Sequence, residues 1–234
     1  MKELSIIIVA GGKGLRMESN LPKQYLMLHV KPILVWTIEH LFEAVDKSID
    51  TEFILVRPKS DDDYVQDMMS RFLKKGIELK YADGGRERAE SVRNGLDVAS
   101  GSFVMVHDGV RPFVTNALLN RIWDAKMSGA VVPALPPTDS TRILTEEGLY
   151  RSIPRNSVRL IQTPQLFERE LLRDSYKAYF SKPDSSCTDD ASIVELYGGL
   201  APSIVEGEEQ NFKITTPKDL ALATWCLSKR ELNE

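Results

Sequence analysis

Short apolar runs rich in β-branched residues alternate along this chain with stretches whose apolar side chains recur every three or four positions, and that alternation decides the fold class. The first run, Leu4-Ser5-Ile6-Ile7-Ile8-Val9, stops on Ala10-Gly11-Gly12. Short, apolar and bounded by glycine, it reads as a strand buried on both faces. Helical spacing follows over 33–44, carried by Leu34, Ile38, Leu41 and Phe42, and then a second strand over 52–56. The pattern repeats as helix 64–73, strand 78–81, helix 91–99, strand 103–107, helix 117–127 and strand 130–135. Apolar strands separated by helices pair in parallel, because each crossover returns the chain to the same end of the sheet, and the helices cover both faces. The spacing therefore predicts an α/β fold of three layers around a mostly parallel, twisted sheet.

The alternation breaks between 136 and 163. Pro136-Pro137-Thr138-Asp139-Ser140 leads into short polar and apolar alternation about Glu146-Glu147-Gly148, the signature of a β-hairpin. We read 137–162 as a protruding arm inserted in the α/β unit. A two-stranded ribbon is marginal alone, so docking on a second subunit, as a homodimer, would explain it; an ordinary surface hairpin is the competing reading. Helices over 168–179, 189–197 and 218–227 and a strand over 203–205 complete the pattern. The runs leave no material for a second core, so 1–234 is taken as a single domain. Trp36, Trp123 and Trp225 fall within helical patterns and are expected in the core. Asp61-Asp62-Asp63 is expected to open a helix, where acidic groups complement the dipole.

A hydrophobic fraction of 42% in 234 residues suffices for a sizeable core. The net charge of −4 excludes the global basic field of a nucleic-acid binder, so an anionic ligand must be met by locally placed cations. The two cysteines, Cys187 and Cys226, make neither a disulfide framework nor a zinc knuckle and favour a reducing compartment. No run approaches the ~18 apolar residues of a membrane span, and the N-terminal run falls short of the roughly 7–15 of a secretory core. The expectation is a cytoplasmic protein with neither a membrane nor a nucleic-acid partner.

The loop after the first strand, Ala10-Gly11-Gly12-Lys13-Gly14-Leu15-Arg16-Met17, carries the strongest local signal. Its glycines allow close backbone approach to a ligand, and its N–H groups can form an anion-binding concavity at the carboxyl end of a strand. It lacks the Lys-Ser/Thr ending of a Walker A loop, and Arg16 and Met17 replace the third glycine of a dinucleotide fingerprint. What remains is either a structural strand-to-helix turn or a phosphate loop supplying its own cations, Lys13 and Arg16. Leu21-Pro22-Lys23-Gln24 favours the second reading, since the proline fixes the backbone just before Lys23.

Taken together, Ala10-Gly11-Gly12-x-Gly14-x-Arg16-Met17 and Pro22-Lys23-Gln24 resemble the nucleotidyltransferases that activate sugar and polyol phosphates. Further matches are Asp83-Gly84-Gly85 with Arg88 and Ser91-Val92, then Val106-His107-Asp108-x-x-Arg111-Pro112. Thr163-Pro164-Gln165-x-Phe167, Thr188-Asp189-Asp190-Ala191-Ser192 and Asn211-Phe212-Lys213-Ile214-Thr215 follow in order. The ordered set is similar to the 2-C-methyl-D-erythritol 4-phosphate cytidylyltransferases of the non-mevalonate isoprenoid pathway. Ribitol-5-phosphate cytidylyltransferases share most of it. A non-catalytic nucleotide sensor on the same fold is the alternative of another class.

The resemblance implies a Rossmann-like nucleotidyltransferase fold, CTP and a sugar-alcohol phosphate as substrates, and Mg²⁺ as the ion. It implies Arg16, Lys23 and Lys213 as the catalytic cations. Ala10, Gly11, Gly12, Gly14, Gly85, Ser91 and Asp108 would bind nucleotide, and Asp108 would also be the metal ligand. Asp108, Arg111, Ser140, Arg155, Thr163 and Lys213 would bind the sugar-alcohol phosphate, with Ser140 and Arg155 reaching a neighbour's site from the arm. Ser140 stands where the family carries threonine, Arg142 where it carries lysine, and Gly109-Val110 where it carries two alanines. Chemistry of this kind needs positioning and charge stabilisation rather than a strong base, because a phosphate monoester is already an anion near neutral pH.

Overall fold

The computed structural model describes residues 2–12, 21–184 and 186–231. Strand β1 (Leu4–Val9) lies at the centre of an eight-stranded sheet. It pairs in parallel with β4 (Thr51–Arg57) on one side and β6 (Phe103–Asp108) on the other, and β5 (Leu79–Asp83) extends the parallel set beyond β4. Between β1 and β4 come the short antiparallel pair β2 (Met27–Leu28) and β3 (Lys31–Pro32) and helix α1 (Ile33–Ala44). Helices α2 (Asp62–Phe72) and α3 (Arg88–Val98) make the next crossovers, and α4 (Asn116–Asp124) leads to β7 (Ala130–Leu135). The parallel core and its crossovers thus follow the sequence periodicity, with α3 starting three residues earlier than the spacing indicated.

Period-two alternation divides β1 between two cores. Leu4, Ile6 and Ile8 pack with Leu34, Ile38 and Leu41 of α1, Val65 and Met68 of α2, and Leu118 and Ile122 of α4. Ile7, on the other face, packs with Val92 and Leu96 of α3 and with Leu172 and Tyr176 of α5 (Arg169–Ser181). Two apolar faces on one strand require cover on both sides, which is the three-layer arrangement. Asp62 and Asp63 occupy the first turn of α2, as the acidic run implied. Asp62 also bonds the Arg57 guanidinium at the end of β4.

The sheet is mixed where periodicity gave no warning. After the arm, β10 (Leu160–Ile161) and β11 (Gln165–Glu168) run antiparallel to β7, and β11 also pairs antiparallel with β6. β12 (Ser203–Glu206) joins β7 in parallel. Leu160 and Ile161 therefore belong to the main sheet, not to the arm to which the sequence reading assigned them. The ribbon itself is β8 (Thr141–Leu144) with β9 (Tyr150–Ile153), paired only with each other. Helix α6 (Asp190–Ile193), capped by Asp189, runs on into a π-helical turn (Val194–Gly198). In α7 (Pro217–Glu231), Ala223 and Leu227 are buried while Trp225 is 59% exposed. Residues 223 and 227 share a face and 225 points away from it, which corrects the expectation of a core tryptophan.

Candidate active site

The parallel strands β1, β4, β5 and β6 end together, since Val9 lies opposite Val56 and Asp108, and Arg57 opposite Asp83. The chain builds outward from β1 through β4 and β5, then returns to the other side of β1 as β6. Ligands of open α/β sheets bind at the carboxyl ends of strands where the order reverses in this way. Two cavities open there, of about 750 and 740 Å³. Arg88, Asp108 and Lys213 line both.

The first cavity opens beside the glycine loop that follows β1. Ala10, Gly11, Gly12, Lys23, Gly85 and Ser91 all line it. The Ala10 N–H donates to the Val56 carbonyl at 2.9 Å. Gln24, buried in the turn after Pro22, donates to the Ala10 carbonyl at 2.7 Å, so the lysine-bearing turn is tied to the glycine loop. Tyr25 anchors the same turn by donating to Asp61 at 2.9 Å. The buried Ser91 hydroxyl accepts the Gly85 N–H at 3.0 Å and donates to the Glu87 carbonyl at 3.1 Å, so it props the loop beneath the cavity. A side chain on Gly85 would collide with Glu90, and one on Gly11 would lie 3.5 Å from the Ser91 hydroxyl. Glycine is required at Gly85 by this crowding, not by its torsion angles. Gly14 and Arg16 lie outside the described residues.

The second cavity is electrostatic. Asp108, at the end of β6, receives Lys213 Nζ at 3.0 Å, with Arg88 Nε and Arg111 Nε each at 3.5 Å. Burial opposes its charge, but Arg88, Lys213 and Arg111 outweigh that and hold the carboxyl well below the usual range. Burial lowers the Arg111 pKa against the pull of Asp108, whereas Asp190 and Asp108 overcome burial and raise that of Arg88. Arg111 is held further by donating to the Asn211 carbonyl at 2.8 Å. Thr163, in a cis Thr163-Pro164 turn, accepts the Asp108 N–H at 3.1 Å and lies 3.2 Å from His107 Nδ1. His107 is fully buried, and burial pushes its pKa down to about 4. Its Nε2 lies 3.0 Å from the Arg111 carbonyl. That carbonyl can only accept, so Nε2 carries the proton and Nδ1 accepts from the Thr163 hydroxyl.

Most of the residues singled out from sequence therefore converge here: Ala10, Gly11, Gly12, Lys23, Gly85, Ser91, Asp108, Arg111, Thr163 and Lys213. Ser140 and Arg155 do not; both are exposed on the arm, where Arg155 donates to the Thr138 carbonyl at 2.9 Å. The sequence reading assigned no role to Arg88, His107, Tyr176 or Asp190. Arg88 bonds Asp190 at 2.7 Å, and the Tyr176 hydroxyl donates to the same carboxylate at 2.5 Å. Gln165 clamps the start of α6 from both sides, donating to Asp189 at 2.8 Å and accepting from the Ala191 N–H at 3.1 Å. Arg88 and Asp190 both stand in motifs matched from the sequence, and a further signal for Arg88 is its spacing: three residues before Ser91, it shares a helix face with a residue already placed at the site.

The family profile described as IspD: 2-C-methyl-D-erythritol 4-phosphate cytidylyltransferase matches residues 4–229. A 2-C-methyl-D-erythritol 4-phosphate cytidylyltransferase of Bacteroides fragilis is 41% identical over 225 residues, covering 94% of this chain and 98% of the relative. One of Syntrophus aciditrophicus is 41% identical over 231 residues, covering 96% of each chain. Among solved structures, the 4-diphosphocytidyl-2C-methyl-D-erythritol synthase of Anaerococcus prevotii superposes with a TM-score of 0.82 at 31% identity, covering 97% of this chain and 99% of that one. The 2-C-methyl-D-erythritol 4-phosphate cytidylyltransferase of Thermus thermophilus gives a TM-score of 0.76 at 33% identity, covering 96% and 98%.

Proposed function

The chain belongs to the 2-C-methyl-D-erythritol 4-phosphate cytidylyltransferase family, nucleotidyltransferases of isoprenoid biosynthesis, and from that premise we propose how its two joined cavities divide the reaction. The activity transfers CMP from CTP to 2-C-methyl-D-erythritol 4-phosphate, giving 4-diphosphocytidyl-2-C-methyl-D-erythritol and pyrophosphate. The observation that carries the division is the shared wall of Arg88, Asp108 and Lys213. Ligands in the two spaces meet across it.

CTP occupies the first cavity, its base and ribose against the backbone of Ala10 to Gly12 and the Gly85 loop propped by Ser91. Lys23 faces the triphosphate, and Arg16, outside the described residues, is assigned to the same task by the family resemblance alone. The sugar-alcohol phosphate occupies the second cavity, where Arg111 and Lys213 supply positive charge and Thr163 fixes the backbone of Asp108. A phosphate oxygen of the second substrate bonds to the α-phosphorus, the bond from that phosphorus to the bridging oxygen breaks, and pyrophosphate leaves with the electron pair. No proton transfer is needed, so the groups to look for are fixed cations, and these are what line the seam.

Mg²⁺ is part of the proposal. Among the described residues no three His, Cys, Asp or Glu side chains converge as a metal cage. Mg²⁺ usually keeps several waters and takes one or two carboxylates beside substrate phosphates, so Asp108, the carboxylate that lines both cavities, would hold such an ion. An ion held there would neutralise triphosphate charge.

A homodimer through the arm completes the reading. Ile143, Leu144, Leu149 and Tyr150 are all exposed on a ribbon that, among the described residues, pairs only with itself, and Ser140 and Arg155, near its base, line neither of their own chain's cavities. Both observations support an arm that covers a neighbour's sugar-phosphate space. A cytoplasmic setting is supported by two cysteines that form no disulfide. No helix among the described residues is long and apolar enough to cross a membrane.

The test is pyrophosphate release from CTP with Mg²⁺ and either methylerythritol 4-phosphate or ribitol 5-phosphate. Release with the first substrate is expected. Release only with ribitol 5-phosphate would refute the substrate assignment, and release with neither would refute the transferase.

A further inference from the structure

Arg88 opens α3 and borders both cavities, the place of a group that meets both ligands. Its guanidinium is divided in three directions. Nη2 bonds Asp190 at 2.7 Å, Nε lies 3.5 Å from Asp108, and Nη1 has no protein partner among the described residues. The side chain is 31% exposed and lines both cavities. Its support is the opposite. Asp190 is 0% exposed and Tyr176 is 1% exposed.

A carboxylate removed entirely from water is costly, and a buried ion pair adds little to stability over well-packed apolar groups. Asp190 has one cation, Arg88, and one side-chain hydroxyl, that of Tyr176, among the described residues. The arrangement fixes the orientation of a guanidinium whose free edge stands at the seam. Lys213 and Arg111 are directed instead at the other oxygen of Asp108.

Resting on the reading above, we propose that Arg88 is a further catalytic residue, its Nη1 edge contacting the phosphoryl group that passes between the cavities, and that Asp190 and Tyr176 are positioning residues that hold that edge. As the new oxygen–phosphorus bond forms and the bond to pyrophosphate breaks, charge gathers on the non-bridging oxygens of the α-phosphorus. A donor already aimed at that charge stabilises the transition state more than the bound substrates. The contribution is therefore read in kcat.

The experiment compares the parent with Arg88→Met, Asp190→Asn, the Arg88→Met/Asp190→Asn double variant and Tyr176→Phe. Each is assayed for thermal unfolding and for pyrophosphate release with CTP and methylerythritol 4-phosphate varied in turn. The single Arg88→Met change strands a buried carboxylate and is expected to fold poorly; the double variant removes both charges and is expected to fold. In the folded double variant kcat should fall by about 10²–10³-fold, the range for loss of one preorganised donor, with each KM within about threefold of the parent. Tyr176→Phe should lower kcat by about 3–10-fold in the parent but have no further effect in the double variant, because coupled residues are not additive.

A folded double variant with kcat within about threefold of the parent overturns the catalytic role, as does a loss confined to KM. Equal Tyr176→Phe effects in both backgrounds overturn the positioning role. A parent that releases no pyrophosphate would instead overturn the functional reading on which this proposal stands.

Discussion

Replacing Thr163 with valine keeps the shape of the side chain and removes one hydroxyl, and the structure says what that hydroxyl does. It accepts the Asp108 N–H at 3.1 Å and sits 3.2 Å from His107 Nδ1, which accepts its proton. Thr163 is 5% exposed and His107 is 0% exposed, so water does not readily replace either bond. Valine strands one buried donor and one buried acceptor. At ~1–3 kcal/mol for each unsatisfied group, less some relaxation, the cost is about 2–4 kcal/mol. For a chain of this length that corresponds to a melting temperature lower by about 5–15 °C. Because Asp108 loses its backbone tether, kcat/KM for the sugar-alcohol phosphate should also fall, whereas Thr163→Ser, which keeps the hydroxyl, should stay near the parent in both respects. Calorimetry and steady-state kinetics on the three proteins decide the matter. A valine variant melting within about 2 °C of the parent, an interval worth about 0.5–1 kcal/mol, would refute this hydrogen-bond assignment.

Other expectations follow from the same geometry. Lys23→Ala should reduce kcat by about 10²–10³-fold with little change in melting temperature; a normal rate would remove Lys23 from the machinery. Glu52 is buried beside β1, and although burial raises its pKa, hydrogen bonds from Lys80, Ser5 and Ser100 prevail and hold it at about 2. Its folded-state value is depressed, so its stabilisation is complete above the unfolded value and is lost as pH falls from about 4.5 through about 2. Discounted for solvent screening, Glu52→Gln should remove about 2 kcal/mol at pH 7 and flatten acid unfolding over that window; an unchanged acid-unfolding curve would count against it. Arg155→Ala should raise KM for the sugar-alcohol phosphate. Mixing Arg155→Ala and Lys213→Ala chains, assayed at sugar-alcohol phosphate well below the raised KM where each alone is impaired, should regain part of the parent activity, and no recovery in a verified mixed dimer would reject sharing of the site between subunits.

The parallel core was legible because buried strands and amphipathic helices impose periods of two and 3.6 on side chains. Leu4 to Val9 announces itself in that way. β11 did not, because four residues following Pro164 are too few for a period, and their place between β6 and β7 is settled by pairing across the sheet. Leu160 and Ile161 likewise resemble the end of a hairpin until β7 claims them. Trp225 was misjudged because hydrophobicity alone does not say which face of α7 it occupies. At the site, glycines and isolated cations stood out because the nucleotide chemistry needs those residue types at a strand end. Tyr176 was hidden, since a buried phenol has no sequence signature until the fold brings it to Asp190, and although Asp190 stood in a matched motif, its bond to Arg88 could not be read there.

One wall serving two rooms narrows how this enzyme could be retargeted. On the proposed division of the cavities, a change at Arg88, Asp108 or Lys213 made to admit a different polyol alters the nucleotide's surroundings by the same stroke. The second room also has lining that the first does not share, including Arg159, Glu195 and Ile204. Acceptor preference can drift along that outer rim while the partition stays fixed, so variants with new acceptors should be sought there.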